Sequence, residues 1–166
     1  MQNTDITKII DKISSELRSG KALVPGDTIS LALAKKIASR VEQKANEMGV
    51  SAVVSICSTG ARPVLCECMD DSYIASYDIA FNKAFTSVSL KMSTVKLKTL
   101  SQPHGPLYGI QQTNDGKIVI FGGGELLMLN GKIIGGLGVS GGSEEQDSAL
   151  AAFGASCVEE EASKCL

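Results

Sequence analysis

FGGGELLMLNGKIIGGLGVSGGSEEQD, Phe121 to Asp147, reads as two strands, a tight turn between them and the start of a helix. Glu125 to Leu129 and Lys132 to Val139 are apolar segments flanking Asn130-Gly131, a pair that tolerates the positive φ angles of a two-residue hairpin. Ser143 and Gln146 stand at capping-box spacing, so a helix begins there and runs through Ala152 before a polar tail from Glu159 to Leu166. Within the run, GLGVSG (Gly136 to Gly141) formally matches the glycine pattern of dinucleotide-binding loops. That fingerprint also needs a further strand and an acidic residue about 20 positions on, for which the sequence up to Leu166 leaves no room. Glu144 and Glu145 would moreover bring negative charge to the helix terminus meant to hold the phosphates. The glycines are therefore read as a sheet-ending turn and a helix cap. For Gly122, Gly123 and Gly124 two readings stay open: backbone N–H groups presented to an anion, or a bulge that bends the sheet.

Upstream of this run, Lys117 to Phe121 and Leu107 to Gln111 read as two more strands, with Asn114-Asp115-Gly116 as a second hairpin turn. Together the four would form an antiparallel meander. Leu33, Ile37, Val41 and Ala45 recur at four-residue intervals in a long helix capped by Asp27 or Thr28 and stopped at Gly49. Val50 to Ser58 and Pro63 to Met69 flank Thr59-Gly60-Ala61-Arg62 as a hairpin. A helix from Asp70-Asp71-Ser72 to Met92 follows, given bulk by Ile74, Ile79, Phe81, Phe85 and Val88, with a short helix over Thr94 to Leu100. The order helix, hairpin, helices, meander, helix implies an α+β sandwich, one antiparallel sheet flanked by helices. Residues 1–20 read as an amphipathic opening helix with Ile6, Ile9, Ile10, Ile13 and Leu17 as its stripe, joined through Pro25-Gly26 to a domain expected over residues 21–166.

With 166 residues and a net charge of −2, the chain fits one domain with its own core, and nothing in the balance suggests a nucleic-acid surface. No apolar run reaches membrane-spanning length and MQNTDITKII lacks the features of a secretory signal, so a cytoplasmic protein is expected. The five cysteines are odd in number and suit a reducing compartment. Cys66 and Cys68 would share one strand face, but a zinc site needs further ligands, and buried or half-buried thiols are the favoured reading.

The segments DIAFNKAFTS (Asp78 to Ser87), QPHGPLYGIQ (Gln102 to Gln111), IVIFGGGELL (Ile118 to Leu127) and GKIIGGLGVSGGSEEQDSALAAFG (Gly131 to Gly154) resemble, in this order, the haem-binding GlcG/HbpS-like family, and within it the C-terminal domain of PduO-type proteins. The likeness runs from about Thr28 to Gly154, with GVSGG-x-x-x-QD its most specific part. It implies a profilin-like sandwich, homo-oligomers, and in some members haem binding; nothing resembles the adenosyltransferase domain that PduO-type proteins also carry. The chain would be a haem- or small-ligand-binding accessory module of corrinoid-dependent or microcompartment metabolism without catalysis of its own. An enzyme acting on haem or a small carboxylate, and an oligomeric scaffold with an unused pocket, are the alternatives.

His104, the sole histidine, is the candidate ligand to haem iron, although the family's loop more often carries glycine there. Tyr108 and Tyr77 are phenolic alternatives, and Met69 and Met92 thioether ones. Lys83, in a helix that is otherwise apolar, would either pair with a haem propionate or small carboxylate or face solvent, and the family motif places Thr86 with it. No catalytic constellation emerges: a single histidine in a proline-flanked loop has no nucleophile motif beside it. The opening helix resembles the encapsulation peptides that carry cargo into bacterial microcompartments, where it would dock on a shell or cargo protein; the other reading packs its stripe on the domain itself.

Overall fold

A computed structural model describes residues 28–164; the amphipathic opening segment over residues 1–20 and Cys165 lie outside them. Helix α1 (Leu31–Glu47) starts at Ser30, whose hydroxyl accepts from the Leu33 N–H at 3.2 Å, rather than at Asp27 or Thr28. Its stripe of Leu33, Ile37, Val41 and Ala45 is buried as the spacing requires. Gly49, at φ 68°, turns the chain into strand β1 (Val53–Ser58), which pairs antiparallel with β2 (Pro63–Cys68).

The next helix, α2 (Ser76–Leu90), begins later than expected, and Ile74, assigned to its apolar bulk, is 97% exposed. What α2 buries is mostly small: Ser76, Ala80, Ala84, Thr86 and Ser87, together with Lys83. Helix α3 (Thr94–Leu100) follows, with Ser93 as its side-chain cap. Strands β3 (Gly124–Leu129) and β4 (Lys132–Ser140) make the expected hairpin about Asn130-Gly131, at φ 49° and 75°. Helix α4 (Glu144–Ser156) opens on the Ser143/Gln146 capping box, and α5 (Val158–Ser163) takes up part of the expected polar tail.

The sheet order is β2-β1-β4-β3 with every pairing antiparallel. The α+β sandwich is as expected; the four-strand meander is not. Asn114, Asp115 and Gly116 take positive φ in succession (52°, 56° and 74°) and coil the chain into a short 3-10 turn in place of a hairpin. Leu107 to Gln111 runs through turns into a second such piece, Ile110–Gln112. Lys117 to Phe121 joins no sheet: the Thr86 hydroxyl takes the Val119 N–H at 3.0 Å and lies 3.3 Å from the Lys117 carbonyl, so a side chain fills the place of a neighbouring strand.

One face of the sheet carries the main core, where Val54, Ile56, Leu137 and Val139 meet Ile37 and Val41 of α1 and Leu150 and Ala151 of α4. Each such fully buried aliphatic side chain contributes roughly 1.5–3 kcal/mol. The other face receives α2, and β4 meets it with glycine. A Cβ at Gly136 would lie 2.6 Å from the Ala84 carbonyl oxygen, and one at Gly138 would run into the carbonyl of Ala80. Gly136 and Gly138 are thus mid-strand clearances for a close-packed helix, a correction to their reading as a sheet-ending turn, while Gly141 and Gly142 do form the turn that leads from β4 to the cap of α4.

Candidate functional site

Where β4 ends, α2 and the start of α4 approach each other across the edge of the core. Lys83 projects from α2 with no exposed side-chain surface, and its ammonium donates to Asp147 Oδ2 at 2.7 Å and to the Val139 carbonyl at 2.8 Å. Asp147, on the first turn of α4, also accepts the Gly142 N–H through Oδ1 at 2.9 Å. The pair therefore ties together the helix on one face, the end of the central strand and the helix on the other face. Burial pushes the Lys83 pKa down, while the hydrogen bond and charge of Asp147 pull it back up. The Phe121 ring centroid stands 4.9 Å from the Lys83 ammonium.

The glycine segment before β3 lies against this pair. Gly123, at φ 106°, leaves no room for a side chain, since a Cβ there would sit 2.7 Å from Lys83 Nζ and 2.6 Å from the Val139 oxygen. The Gly122 N–H donates to Glu144 Oε1 at 2.9 Å and the Gly124 N–H to the Thr94 hydroxyl at 2.9 Å. Glu144 also meets Lys98 at 2.6 Å, and these contacts, led by Lys98, hold its carboxyl below the usual carboxylate range.

Two clefts open around the adjoining Gly141-Gly142 turn. One, of about 290 Å³, is lined by Tyr73, Ile79, Phe121, Ser76, Ser140 and Asp147 among others. Its neighbour, of about 540 Å³, shares Tyr73, Gly141 and Gly142 and continues to Gln146, Ser143 and Asp71.

Of the residues singled out by sequence, Lys83, Gly122, Gly123 and Gly124 converge here. Lys83 is not solvent-facing, and Asp147 and Val139 hold two of its three ammonium protons. The amides of Gly122 and Gly124 likewise have protein acceptors. Thr86, buried, donates within α2 to the Asn82 carbonyl at 2.7 Å and supports the 117–119 segment. His104 and Tyr108 lie apart from both cleft linings, on the loop after α3, His104 exposed at φ 68° and Tyr108 67% exposed. That loop is strapped down: Gly105 N–H donates to the Gln102 carbonyl at 2.8 Å, and Leu107 N–H to that of Leu100 at 3.0 Å. Cys57 is buried, with its thiol pushed up to about 11 by burial, while Cys66 is half-buried and Cys68 exposed on β2. Among the described residues no three metal-ligating side chains cluster.

Sequence reasoning missed the hydroxyl pair of Ser76 and Ser140, Oγ to Oγ 3.1 Å, and the role of Phe121 above Lys83. The signal for Lys83 was present: a lysine between Ala80 and Ala84 on a helix stripe of small residues. Two serines 64 positions apart gave none.

Residues 29–156 match the family model described as "Haem degrading protein HbpS-like". A 15.0 kDa protein from the dhaT-dhaS intergenic region of Citrobacter freundii is 47% identical over 133 residues, covering 80% of this chain and 94% of that one. The corrinoid adenosyltransferase PduO of the same organism is 33% identical over 150 residues, 90% of this chain but 45% of PduO, so the chain spans less than half of that relative. Among solved structures, a PduOC:heme complex superposes with a TM-score of 0.74 at 35% identity, over 78% of this chain and 94% of that one.

Proposed function

The chain belongs to the HbpS-like family, and on that footing we propose that it binds haem, as an accessory protein of the PduO C-terminal type without catalysis of its own. What supports the reading within this molecule is the loop after α3. Its backbone is pinned to the end of α3, and it holds the sole imidazole of the chain outward in a left-handed conformation that non-glycine residues rarely adopt. The His104 ring makes no hydrogen bond among the described residues, so its nitrogens are free for iron, and the exposed Tyr108 ring offers an aromatic surface on the same loop. Residues of this kind fit an iron porphyrin bound at the surface: His104 as the ligand, Tyr108 against the macrocycle. When bound, the group supplies a redox-active iron and a visible chromophore. Lys83, Thr86 and the glycines Gly122 to Gly124 serve the reading as the rigid frame from which α3 and its loop extend.

Neither cleft is lined by an imidazole or a thiol among the described residues. The family's description as haem degrading favours a second reading, an enzyme that consumes the group it binds. Haemin titration separates them. A saturable Soret band that is lost in His104→Ala supports ligation at the loop, and absence of any band would defeat the haem claim. Decay of the band with a reductant and oxygen would move the assignment to an enzyme.

The setting proposed with this reading is a cytoplasmic homo-oligomer, inside a bacterial microcompartment, in metabolism that uses corrinoid cofactors, as the likeness to PduO suggests. Residues 1–20 would then dock on a shell or cargo protein. Deleting them is expected to release the protein from purified compartments, and unchanged partitioning would sink the targeting idea.

A further inference from the structure

Beneath Phe121 the smaller cleft has features that the haem reading does not use. Its floor is the hydroxyl pair of Ser76, at the start of α2, and Ser140, at the end of β4, only 4% and 5% exposed as residues and 3.1 Å apart. Two hydroxyls carry two protons, and one serves the bond between them. The other finds no acceptor among the described residues, although both side chains line the cleft. A hydroxyl that lines a cleft is open to whatever occupies that cleft, and a bound oxygen there can accept its proton. The walls are Ile79, Tyr73 and Phe121, apolar on their contact faces.

Charge narrows the ligand further. Two carboxylates reach this cleft, Asp147 and Glu144, and each is engaged: Asp147 by Lys83 at 2.7 Å and Glu144 by Lys98 at 2.6 Å. With each carboxylate paired to a lysine, the cleft offers neither an anion nor a cation a free counter-charge. At about 290 Å³ the space corresponds to roughly ten water volumes of ~30 Å³ each, the small end for ligand pockets.

We propose that this cleft binds a small uncharged oxygenated molecule, an alcohol, diol or carbonyl compound, whose oxygen accepts the free hydroxyl proton of the Ser76–Ser140 pair and whose carbon skeleton lies against Phe121 and Ile79. This goes beyond the haem reading and stands independently of haem at the His104 loop.

A ring series matched in size tests it: cyclohexanol, cyclohexanone, cyclohexanecarboxylate and cyclohexylammonium, each titrated into the full chain and followed by amide NMR shifts. The two uncharged compounds are expected to shift Ser76, Ser140, Gly141 and Gly142 saturably and to bind at least tenfold more tightly than the two ions. Ser76→Ala/Ser140→Ala is expected to weaken them at least fivefold while leaving the haemin titration unchanged. Ile79→Trp, which fills the cleft and keeps the hydroxyls, is expected to abolish the shifts, so the proposal remains testable should the serine variant fail to fold. Equal binding by either ion, shifts scattered outside the cleft, or full affinity in a folded serine variant would overturn it.

Discussion

Replacing Lys83 with methionine keeps the length and most of the volume of the side chain and removes its charge and its donors. In the native protein those donors reach Asp147 Oδ2 at 2.7 Å and the Val139 carbonyl at 2.8 Å, with the lysine side chain wholly buried and that of Asp147 only 5% exposed. Methionine therefore leaves a carboxylate without its counter-charge and a strand-end carbonyl without its donor. Removing one partner of such a pair costs about 3–5 kcal/mol. For a chain of this size each kcal/mol lowers Tm by roughly 2–4 °C, so the Lys83→Met variant is expected to melt roughly 6–20 °C below the native protein. The loss belongs to the stranded charge more than to the lost contact, which Lys83→Met/Asp147→Asn exposes. Asparagine can still accept the Gly142 N–H through Oδ1, and no charge remains buried in the double variant. Its loss of stability should fall short of the sum of the two single losses by about 2–3 kcal/mol of coupling. The assay is urea unfolding followed by circular dichroism at fixed protomer concentration, with Tm as a second readout. A Lys83→Met cost below about 1 kcal/mol, or additive losses in the double variant, would refute the reasoning.

Gly138→Ala drives a methyl group into the Ala80 carbonyl of α2, and such overpacking is expected to cost about 1–3 kcal/mol, whereas Gly60→Ala, with only the Ser58 hydroxyl 3.9 Å away, should be neutral by the same unfolding assay. The pH dependence of Tm has a defined shape. Glu144, Glu160 and Glu161 are held below the ordinary carboxylate value, first by hydrogen bonds to Lys98 or Lys164, so the stability they contribute is present above the unfolded pKa of about 4.3 and is lost as pH falls through their folded values. Burial raises Glu42 and Glu125, whose penalty is present at neutral pH and lifts as pH falls toward that same unfolded value. Tm should therefore pass through a maximum in the mildly acidic range and fall below it in low salt; a flat profile down to pH 3 would contradict the assignment.

The elements that sequence announced clearly are those specified by local chemistry. The Ser143/Gln146 box, Asn130-Gly131 and the four-residue spacing of α1 each depend on a few neighbouring residues, and each folds as it reads. Where reading failed, the decision was tertiary. Lys117 to Phe121 has strand composition but is held by the hydroxyl of Thr86, 33 positions away from Val119. Asn114-Asp115-Gly116 supplies the positive φ of a hairpin without a second strand to receive it. The glycines of β4 are legible as glycines; that Ala80 and Ala84 press on Gly138 and Gly136 appears only when α2 is laid across the sheet. At the site, Lys83 stood out against its small neighbours, but its partner did not, because Asp147 lies 64 positions on and resembles an ordinary first-turn carboxylate.

The central claim is that an imidazole on the pinned loop after α3 ligates haem. Titrating haemin into the native protein and into His104→Ala, with the Soret band as readout, measures it directly. A saturable band at one stoichiometric ratio in the native protein, lost or shifted in His104→Ala while the variant's Tm stays unchanged, is the predicted result. An identical band in both proteins, or none in the native one, would contradict it.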